Sequence, residues 1–259
     1  MNEYYFTKWM ITMEWQALSK LKNKWLVKIQ VYFHRIQLVF SQCDLCGNTT
    51  KQQTLICSTC LTDLPLFKQD IFQGDLLNWP AVNRSLPRIH FDHLFCLSPY
   101  LTPFNHWLSQ FKYQGRFELA SLFAYLLAKQ WQQSHSTSSV DLILSVPLHI
   151  SKWQQRGYNQ AHLIAKPFSQ WLQLPYQDSA LVRIRKNSSQ VGQTGKQRRN
   201  NLANAFTLNK PLTKKVKHVI LIDDVLTTGS TASEISKLLK REGVEEVTVV
   251  TVCLTLPKH

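Results

Sequence analysis

The fold is decided by residues 219–231, which read Val-Ile-Leu-Ile-Asp-Asp-Val-Leu-Thr-Thr-Gly-Ser-Thr. The first four residues form an apolar run typical of a short strand buried in a parallel sheet. Two adjacent carboxylates, Asp223 and Asp224, follow it, and small hydroxylated residues then surround Gly229. Apolar spacing predicts a helix over residues 232–240. The order strand, acidic turn, hydroxyl-rich loop and helix indicates an α/β fold with a ligand site at this junction.

The hydroxyl-rich loop has the chemistry of a phosphate site. Free backbone N–H groups at a helix start attract an anion, and hydroxyl groups add donors. The candidate residues are Thr227, Thr228, Gly229, Ser230 and Thr231. Because Asp223 and Asp224 would repel a phosphate, we expect them to accept hydrogen bonds from a vicinal diol or to help hold a hydrated Mg²⁺. Together these features describe ribose 5-phosphate, whereas an ordinary strand–helix turn with capping Asp and Thr residues is the alternative.

The whole string resembles the signature of type I phosphoribosyltransferases. The chain contains neither the Gly-Lys-Ser/Thr of a Walker loop nor a Gly-x-Gly-x-x-Gly dinucleotide loop. The resemblance implies an α/β fold in which a parallel sheet is flanked by helices.

Composition favours a polyanionic partner. The 259 residues, 44% of them hydrophobic, are enough for one medium domain and a small one. Thirty Lys and Arg residues against 16 Asp and Glu residues give a net charge of +14. This excess favours nucleic acid or a polyphosphate substrate, although a basic protein without a specific anionic partner would have the same composition.

The first 40 residues form a predicted amphipathic extension. Lysines interrupt every apolar stretch and no small-residue cleavage site follows, which argues against a signal peptide. No stretch approaches the roughly 18 uncharged apolar residues of a transmembrane helix. Apolar residues at helical intervals over residues 15–40 could contact a membrane surface or a partner. Packing on the protein's own body and a start codon assigned too far upstream are the alternatives, and we expect a cytoplasmic location.

Four cysteines predict a zinc ribbon. Cys43, Cys46, Cys57 and Cys60 form two Cys-x2-Cys pairs, the spacing of knuckles that bind tetrahedral Zn²⁺. Two disulfides are the competing reading, which a reducing cytoplasm disfavours. Four thiolates leave no open coordination position, so the predicted zinc is structural.

A second loop also has the character of a ligand site. A strand predicted over residues 141–146 is followed by Pro147, Leu148 and His149, and seven residues later by Arg156. Strand-end loops of this kind bind ligands in open α/β sheets, and we expect this one to bind pyrophosphate through backbone N–H groups and the guanidinium. A solvated arginine and a structural histidine are the alternatives.

The polar, cationic stretch 183–206 has the composition of a mobile flap. Its glycines suit hinges, and cations such as Arg198 and Arg199 suit closure over an anionic substrate. A nucleic-acid-binding loop or a disordered segment would have the same composition.

Taken in order, these segments resemble the ComF family, bacterial phosphoribosyltransferase-like proteins associated with competence for DNA uptake. The resemblance spans roughly residues 43–254 and rests on the zinc ribbon, Val-Pro-Leu-His…Arg-Gly-Tyr-Asn-Gln, Gln…Arg-Arg-x-Asn…Ala-Phe and Asp-Asp-Val-x-Thr-Thr-Gly-Ser-Thr. Tyr158 stands where Phe is usual, and Asn204 where Gly is usual. Asn tolerates a left-handed backbone better than most residues, so this change need not disturb the turn.

The resemblance implies binding of 5-phosphoribosyl 1-pyrophosphate with Mg²⁺, and it names no acceptor nucleophile. If turnover occurs, the resemblance implies transfer of the ribosyl phosphate to a nitrogen nucleophile. Arg156 and a flap cation, Arg198 or Arg199, would then stabilise the leaving pyrophosphate. A protein built on an enzyme scaffold can also bind without catalysing.

Two biological roles follow from the resemblance. In the first, the protein acts in natural competence, in the handling or import of single-stranded DNA, with that DNA and other competence proteins as candidate partners. In the second, it is a metabolic phosphoribosyltransferase of nucleotide salvage. Cations distant in sequence from the predicted site, such as Lys20, Lys24 and Lys215, exceed the need of one small anion and favour the first role.

Periodicity also divides the chain. The predicted domains are an extension over 1–40, a zinc ribbon over 41–64, a connecting segment over 65–100 and a phosphoribosyltransferase-like domain over 101–257. Besides the elements above, the pattern predicts an irregular connection over 61–95, helices over 104–131 divided near Gly115, a helix over 161–172 containing Pro167, and a strand over 247–254.

Overall fold

The computed structural model describes residues 42–50, 55–86, 88–134, 139–148, 150–184, 205–213 and 215–255. The chain divides into two units, Met1–Asp63 and Leu64–His259. In the first unit, helix α1 (Ser58–Thr62) follows a bridge between Gln42 and Thr49. The predicted extension over 1–40 lies outside the described residues.

The second unit contains two sheets and several helices. The larger sheet consists of β1 (His93–Pro99), β2 (Leu142–Ser145), β5 (His218–Leu226) and β6 (Glu246–Leu254), and the smaller sheet of β3 (Leu181–Arg183) and β4 (Phe206–Leu208). The helices are α2 (Pro80–Ser85), α3 (Phe104–Tyr113), α4 (Glu118–Ser134), α5 (Ile150–Arg156), α6 (Gln160–Leu172) and α7 (Ser230–Arg241), and a 3-10 helix spans Leu76–Asn78.

The larger sheet is parallel throughout, with strand order β1-β6-β5-β2. Its central strands read as continuous apolar runs because their side chains are buried: residues 219–222 of β5 are all 0% exposed. Helix α6 packs against β2 and β5, α4 against β1, and α7 against β6. The predicted α/β fold with a parallel sheet is confirmed. In such a sheet all strands end at one edge, which therefore collects their loops.

Strand β5 is longer than the sequence pattern indicates. The apolar run predicts a strand that ends at residue 222 with an acidic turn after it, but the strand continues to Leu226. Its neighbour β6 extends alongside, so that Asp223 lies opposite Thr251 and Val225 opposite Cys253. The prediction of an acidic turn is therefore wrong, because inter-strand pairing continues the strand through two carboxylates.

The interpretation of residues 61–95 as an irregular connection is also wrong in part. This stretch holds the 3-10 helix, helix α2 and the first residues of β1, which pairs with β6. Leu94 and Phe95 are fully buried in the sheet. The nearby prolines obscured this strand in the sequence, although Pro80 itself occupies the first turn of a helix, where proline is tolerated.

The helices predicted over residues 104–131 and 161–172 are present in the structure. Residues 104–131 form α3 and the larger part of α4, and Gly115 lies between them with a positive φ of 70°. Helix α6 continues through Pro167. At its start the side chain of Asn159 accepts a hydrogen bond from the backbone N–H of Ala161, which caps the helix.

Candidate functional site

A cavity of about 410 Å³ lies where β2 and β5 end. Of the residues that sequence analysis proposed for the site, the structure brings seven to its wall: Pro147, Leu148, Arg156, Asp223, Asp224, Thr227 and Thr231. Thr228 and Gly229 in the loop before α7, and Ser230 at the first position of α7, do not line the cavity. His149, Arg198 and Arg199 lie outside the described residues, so their roles stay predictions.

The paired carboxylates are half-buried at the cavity wall. Burial raises the pKa of Asp223 to about 7, and the negative charge of Asp224 adds to the rise. The backbone N–H of Asp224, which donates to Asp223 Oδ1 at 2.8 Å, opposes this rise, as do the charges of Lys112 and Lys152. Asp224 itself accepts from Lys112 Nζ at 3.0 Å.

The raised pKa of Asp223 makes folding stability dependent on pH. Between about pH 4 and pH 7 the native carboxyl keeps a proton that the unfolded chain has released, so stability falls as the pH rises through this window. Asp223→Asn does not titrate, and we expect its melting temperature to exceed that of the wild type more at pH 8 than at pH 5. The free energy involved is about 1 to 4 kcal/mol. Thermal unfolding at the two pH values measures it, and an equal difference at both would contradict the pKa.

The start of α7 has the geometry of an anion site. Gly229 is the N-cap residue with φ at +67°, a conformation that favours glycine, and none of the described side chains caps the helix there. The N–H groups of the first turn of any helix have no intrahelical partner, so without a capping side chain they stay available to a ligand. The hydroxyl groups of Thr228 and Ser230 lie 2.9 Å apart beside them. This arrangement can bind a phosphate through backbone and hydroxyl donors.

The second loop carries two buried hydrogen-bond donors. Arg156 donates from Nη1 to Gln160 Oε1 at 3.1 Å and from Nη2 to the Tyr113 hydroxyl at 3.1 Å. Its guanidinium also lies 5.0 Å from the centre of the Tyr113 ring. Gln160 is only 1% exposed, and within the described part of the chain Arg156 Nε and Gln160 Nε2 are buried without a hydrogen-bond partner. Both residues line the cavity, and because an unpaired buried donor is costly, an anionic ligand that reached these atoms would compensate them.

The two ends of the predicted flap pair with each other in the smaller sheet. Strands β3 and β4, which flank residues 185–204, pair in antiparallel fashion with Arg183 opposite Phe206. Arg183 lines the cavity, and its guanidinium lies 5.5 Å from the Phe206 ring centre. The flap residues themselves lie outside the described residues.

Sequence reasoning missed several lining residues. Lys112 comes from the end of α3 and Tyr100 from the residue after β1, far from any motif, and no local signal marks them. Gln160 ends the Arg-Gly-Tyr-Asn-Gln segment, and its position at the start of a helix after a cationic loop is a usable signal for a site residue. Lys152 and Thr255 also line the cavity.

A second cavity, of about 360 Å³, shares the wall formed by Pro147, Leu148 and Asn159. It also touches Ser145 and His162. The Tyr176 hydroxyl connects these two side chains, at 3.0 Å from Ser145 Oγ and 2.8 Å from His162 Nδ1. The loop after β2 thus separates two cavities.

In the first unit, the four predicted cysteines form a cluster that could hold a metal ion. Their Sγ atoms all lie within 4.8 Å of one another, and none is in a disulfide. The sulfur atoms of Cys46 and Cys57 are 3.8 Å apart, close to the roughly 3.8 Å expected between thiolates each about 2.3 Å from one tetrahedral zinc. Burial raises the pKa of Cys43, but hydrogen bonds, including one from the backbone N–H of Cys57, outweigh it and lower the pKa to about 6. A thiolate at this position favours metal binding.

No helix in the described part of the chain combines the length and apolar character that crossing a membrane requires.

The comparisons with known proteins concern both parts of the chain. The family model for the Phosphoribosyl transferase domain matches residues 157–258. Purine phosphoribosyltransferase from Pyrococcus horikoshii Ot3 overlaps in structure with 52% of this chain and 82% of its own, at 16% identity and a TM-score of 0.33. A score this low carries no argument about function.

Curated relatives match over most of their length. Competence protein F of Haemophilus influenzae is 33% identical over 215 residues, which cover 81% of this chain and 83% of the relative. DNA utilization protein YhgH of Escherichia coli K12 is 32% identical over 217 residues, covering 83% of this chain and 90% of the relative. The chain therefore belongs to the ComF/YhgH family, with a phosphoribosyltransferase domain and a four-cysteine cluster that precedes it.

Proposed function

We propose that the protein binds 5-phosphoribosyl 1-pyrophosphate in the 410 Å³ cavity. One observation carries the proposal: the cavity unites carboxylates from the end of β5, the loop before α7 and the guanidinium of Arg156. These groups suit a ribose diol, a phosphate and a pyrophosphate in turn. The match to the Phosphoribosyl transferase domain supports the same ligand.

Each part of the ligand has assigned partners in this proposal. Asp223 and Asp224 accept hydrogen bonds from the ribose hydroxyls. The loop from Thr227 to Thr231 holds the 5-phosphate. The segment Pro147, Leu148 and His149 holds the pyrophosphate with Arg156, and Gln160 Nε2 adds a buried donor.

Mg²⁺ accompanies the sugar pyrophosphate in this proposal. Carboxylate oxygens are the hard donors that Mg²⁺ prefers, and Asp223 and Asp224 supply them at the cavity wall. When bound, the ion would neutralise charge on the phosphate oxygens.

The chemistry that suits this site is transfer of the ribosyl phosphate to a nitrogen nucleophile. The bond between ribose C1 and the pyrophosphate oxygen would break, and the new bond would form from the nitrogen to C1. Negative charge would then develop on the departing pyrophosphate, where Arg156 and Gln160 donate hydrogen bonds. Arg198 or Arg199 would add a cation from the flap.

For the biological role we propose natural competence, in the handling or import of single-stranded DNA. The support is the names of the relatives, Competence protein F and DNA utilization protein YhgH, together with the net charge of +14. A metabolic phosphoribosyltransferase of nucleotide salvage is the second candidate, favoured by the domain match. A deletion strain that transforms as well as its parent would decide for the second role.

Arg156→Gln is expected to weaken binding of the sugar pyrophosphate about 10- to 100-fold, because charge-assisted hydrogen bonds to one phosphate group are lost. Isothermal calorimetry with Mg²⁺ present measures the change. The matched control is Arg84→Gln, since Arg84 is exposed at the end of α2 and does not line the cavity. Equal affinity in both variants would contradict the pyrophosphate assignment.

A further inference from the structure

Lys112 forms an ion pair inside the cavity that no sequence motif foretells. Its Nζ lies 3.0 Å from Asp224 Oδ2, and the two side chains are only 18% and 13% exposed. Both residues line the cavity. A lysine at this burial loses side-chain freedom and hydration, which costs free energy. The ion pair with Asp224 compensates for part of this cost.

The end of α3 is held in place on both sides of Lys112. The preceding residue, Phe111, is fully buried, and its carbonyl accepts a hydrogen bond from the hydroxyl of Tyr158. The following residue, Tyr113, contacts the guanidinium of Arg156 through its hydroxyl and its ring. The backbone of Lys112 is thus anchored to the loop after β2, and its ammonium reaches Asp224 from a fixed position.

The ammonium takes the place where a divalent cation would otherwise balance the carboxylates. Two adjacent half-buried carboxylates attract a cation, since their mutual repulsion is reduced by positive charge between them. A lysine neutralises one of the two charges and removes the oxygen that it engages from the set of free metal donors.

We propose that Lys112 is a built-in counter-cation of the acidic pair, which keeps divalent cations from binding at Asp224 until the anionic ligand arrives. In the free protein the lysine excludes the metal. In the complex, the negative charge of the pyrophosphate recruits the metal together with the ligand. The second step rests on the proposed function, whereas the first concerns the free protein alone.

The first test uses Mn²⁺ alone as the probe, with protein that has no ligand and an intact cysteine cluster. Lys112→Met is expected to bind Mn²⁺ at least about tenfold more tightly than the wild type, as free Mn²⁺ measured by electron paramagnetic resonance reports, because the carboxylates lose their counter-charge. Adding Asp224→Asn to this variant should return the affinity to the wild-type level. Lys240→Met is the matched control, since it removes a lysine–aspartate pair of 2.6 Å with Asp92, and neither residue lines the cavity.

Equal Mn²⁺ affinity in the wild type and in Lys112→Met would overturn the proposal. Lys112→Gln, which keeps a polar side chain, serves if the methionine variant does not fold, and the same outcomes apply to it.

The second test measures binding of 5-phosphoribosyl 1-pyrophosphate by calorimetry, in chelator and in saturating Mg²⁺. Lys112→Met should lose at least about tenfold in affinity in chelator, where no metal ion takes over the role of the Lys112 ammonium, and stay within about threefold of the wild type with Mg²⁺. An equal loss in both conditions would mean that Lys112 contacts the ligand directly, and would overturn the proposal. If the wild type binds the sugar pyrophosphate neither in chelator nor in Mg²⁺, the proposed function is wrong. The Mn²⁺ result still decides the role of Lys112 in that case.

Discussion

Replacing Asp223 and Asp224 together by Asn is expected to weaken binding of 5-phosphoribosyl 1-pyrophosphate by at least about 100-fold. Hydrogen bonds to charged groups contribute roughly 1.5 to 3 kcal/mol each, and two carboxylates would lose them at once. An amide keeps the size of the carboxyl but adds donors where the ribose hydroxyls need acceptors. Calorimetry in saturating Mg²⁺ measures the loss.

The fold of this double variant should survive, so the measurement stays interpretable. Both side chains line an open cavity, and the apolar part of β5 that precedes them is unchanged. Removing both carboxylates also removes their mutual repulsion, which offsets in part the loss of the Lys112–Asp224 ion pair. Asp92→Asn is the matched control, because Asp92 forms its own lysine pair outside the cavity. Unchanged affinity in a folded double variant would contradict the ribose assignment, and with it the central part of the proposed function.

The second large effect concerns the cysteine cluster. We propose that it holds one structural zinc per chain, and we expect Cys46→Ser to lose that zinc and to unfold the first unit. Structural zinc contributes a binding free energy of roughly 10 to 16 kcal/mol in zinc-finger peptides, and the variant loses this contribution to folding. The described residues of the first unit contain a single helix of five residues, which is too little to stay folded without it. Elemental analysis gives the zinc content, and limited proteolysis detects unfolding before residue 64.

The matched control for this variant is Cys253→Ala, because Cys253 is buried in β6 and outside the cluster. It should retain the zinc. Binding of the sugar pyrophosphate should stay within about threefold of the wild type in Cys46→Ser, since the described residues that line the cavity all belong to the second unit. Wild-type protein purified without chelators that contains no zinc would refute the assignment.

Much of the candidate site was visible in the sequence because its parts are local. The apolar run, the adjacent carboxylates and the hydroxyl-rich loop are continuous in the chain, and each has a chemistry that depends on residue type and order. The same holds for the Cys-x2-Cys pairs. These predictions needed no knowledge of distant contacts, and the structure places the carboxylates, the loop and Arg156 around one cavity.

The errors arose where a neighbouring strand decides the local structure. Residues 223–226 lack a strand-like apolar pattern, yet they continue β5 because β6 offers hydrogen-bonding partners along that length. Strand β1 lies in a proline-containing region, and its place at the sheet edge depends on pairing with β6 from the other end of the domain. Periodicity reports which face of a segment is buried, but it contains no information on which segment pairs with it.

The sequence by itself determined the chemical groups: an acidic pair, a hydroxyl-rich loop at a helix start, a cationic loop and four cysteine thiols in two Cys-x2-Cys pairs. The tertiary structure alone decided their electrostatic state. It brought Lys112 Nζ to 3.0 Å from Asp224, left buried donors of Arg156 and Gln160 without partners among the described residues, and raised the pKa of Asp223 to about 7. These properties depend on burial and on charges from segments distant in the chain, since the energy of an ionic group is set by its three-dimensional surroundings.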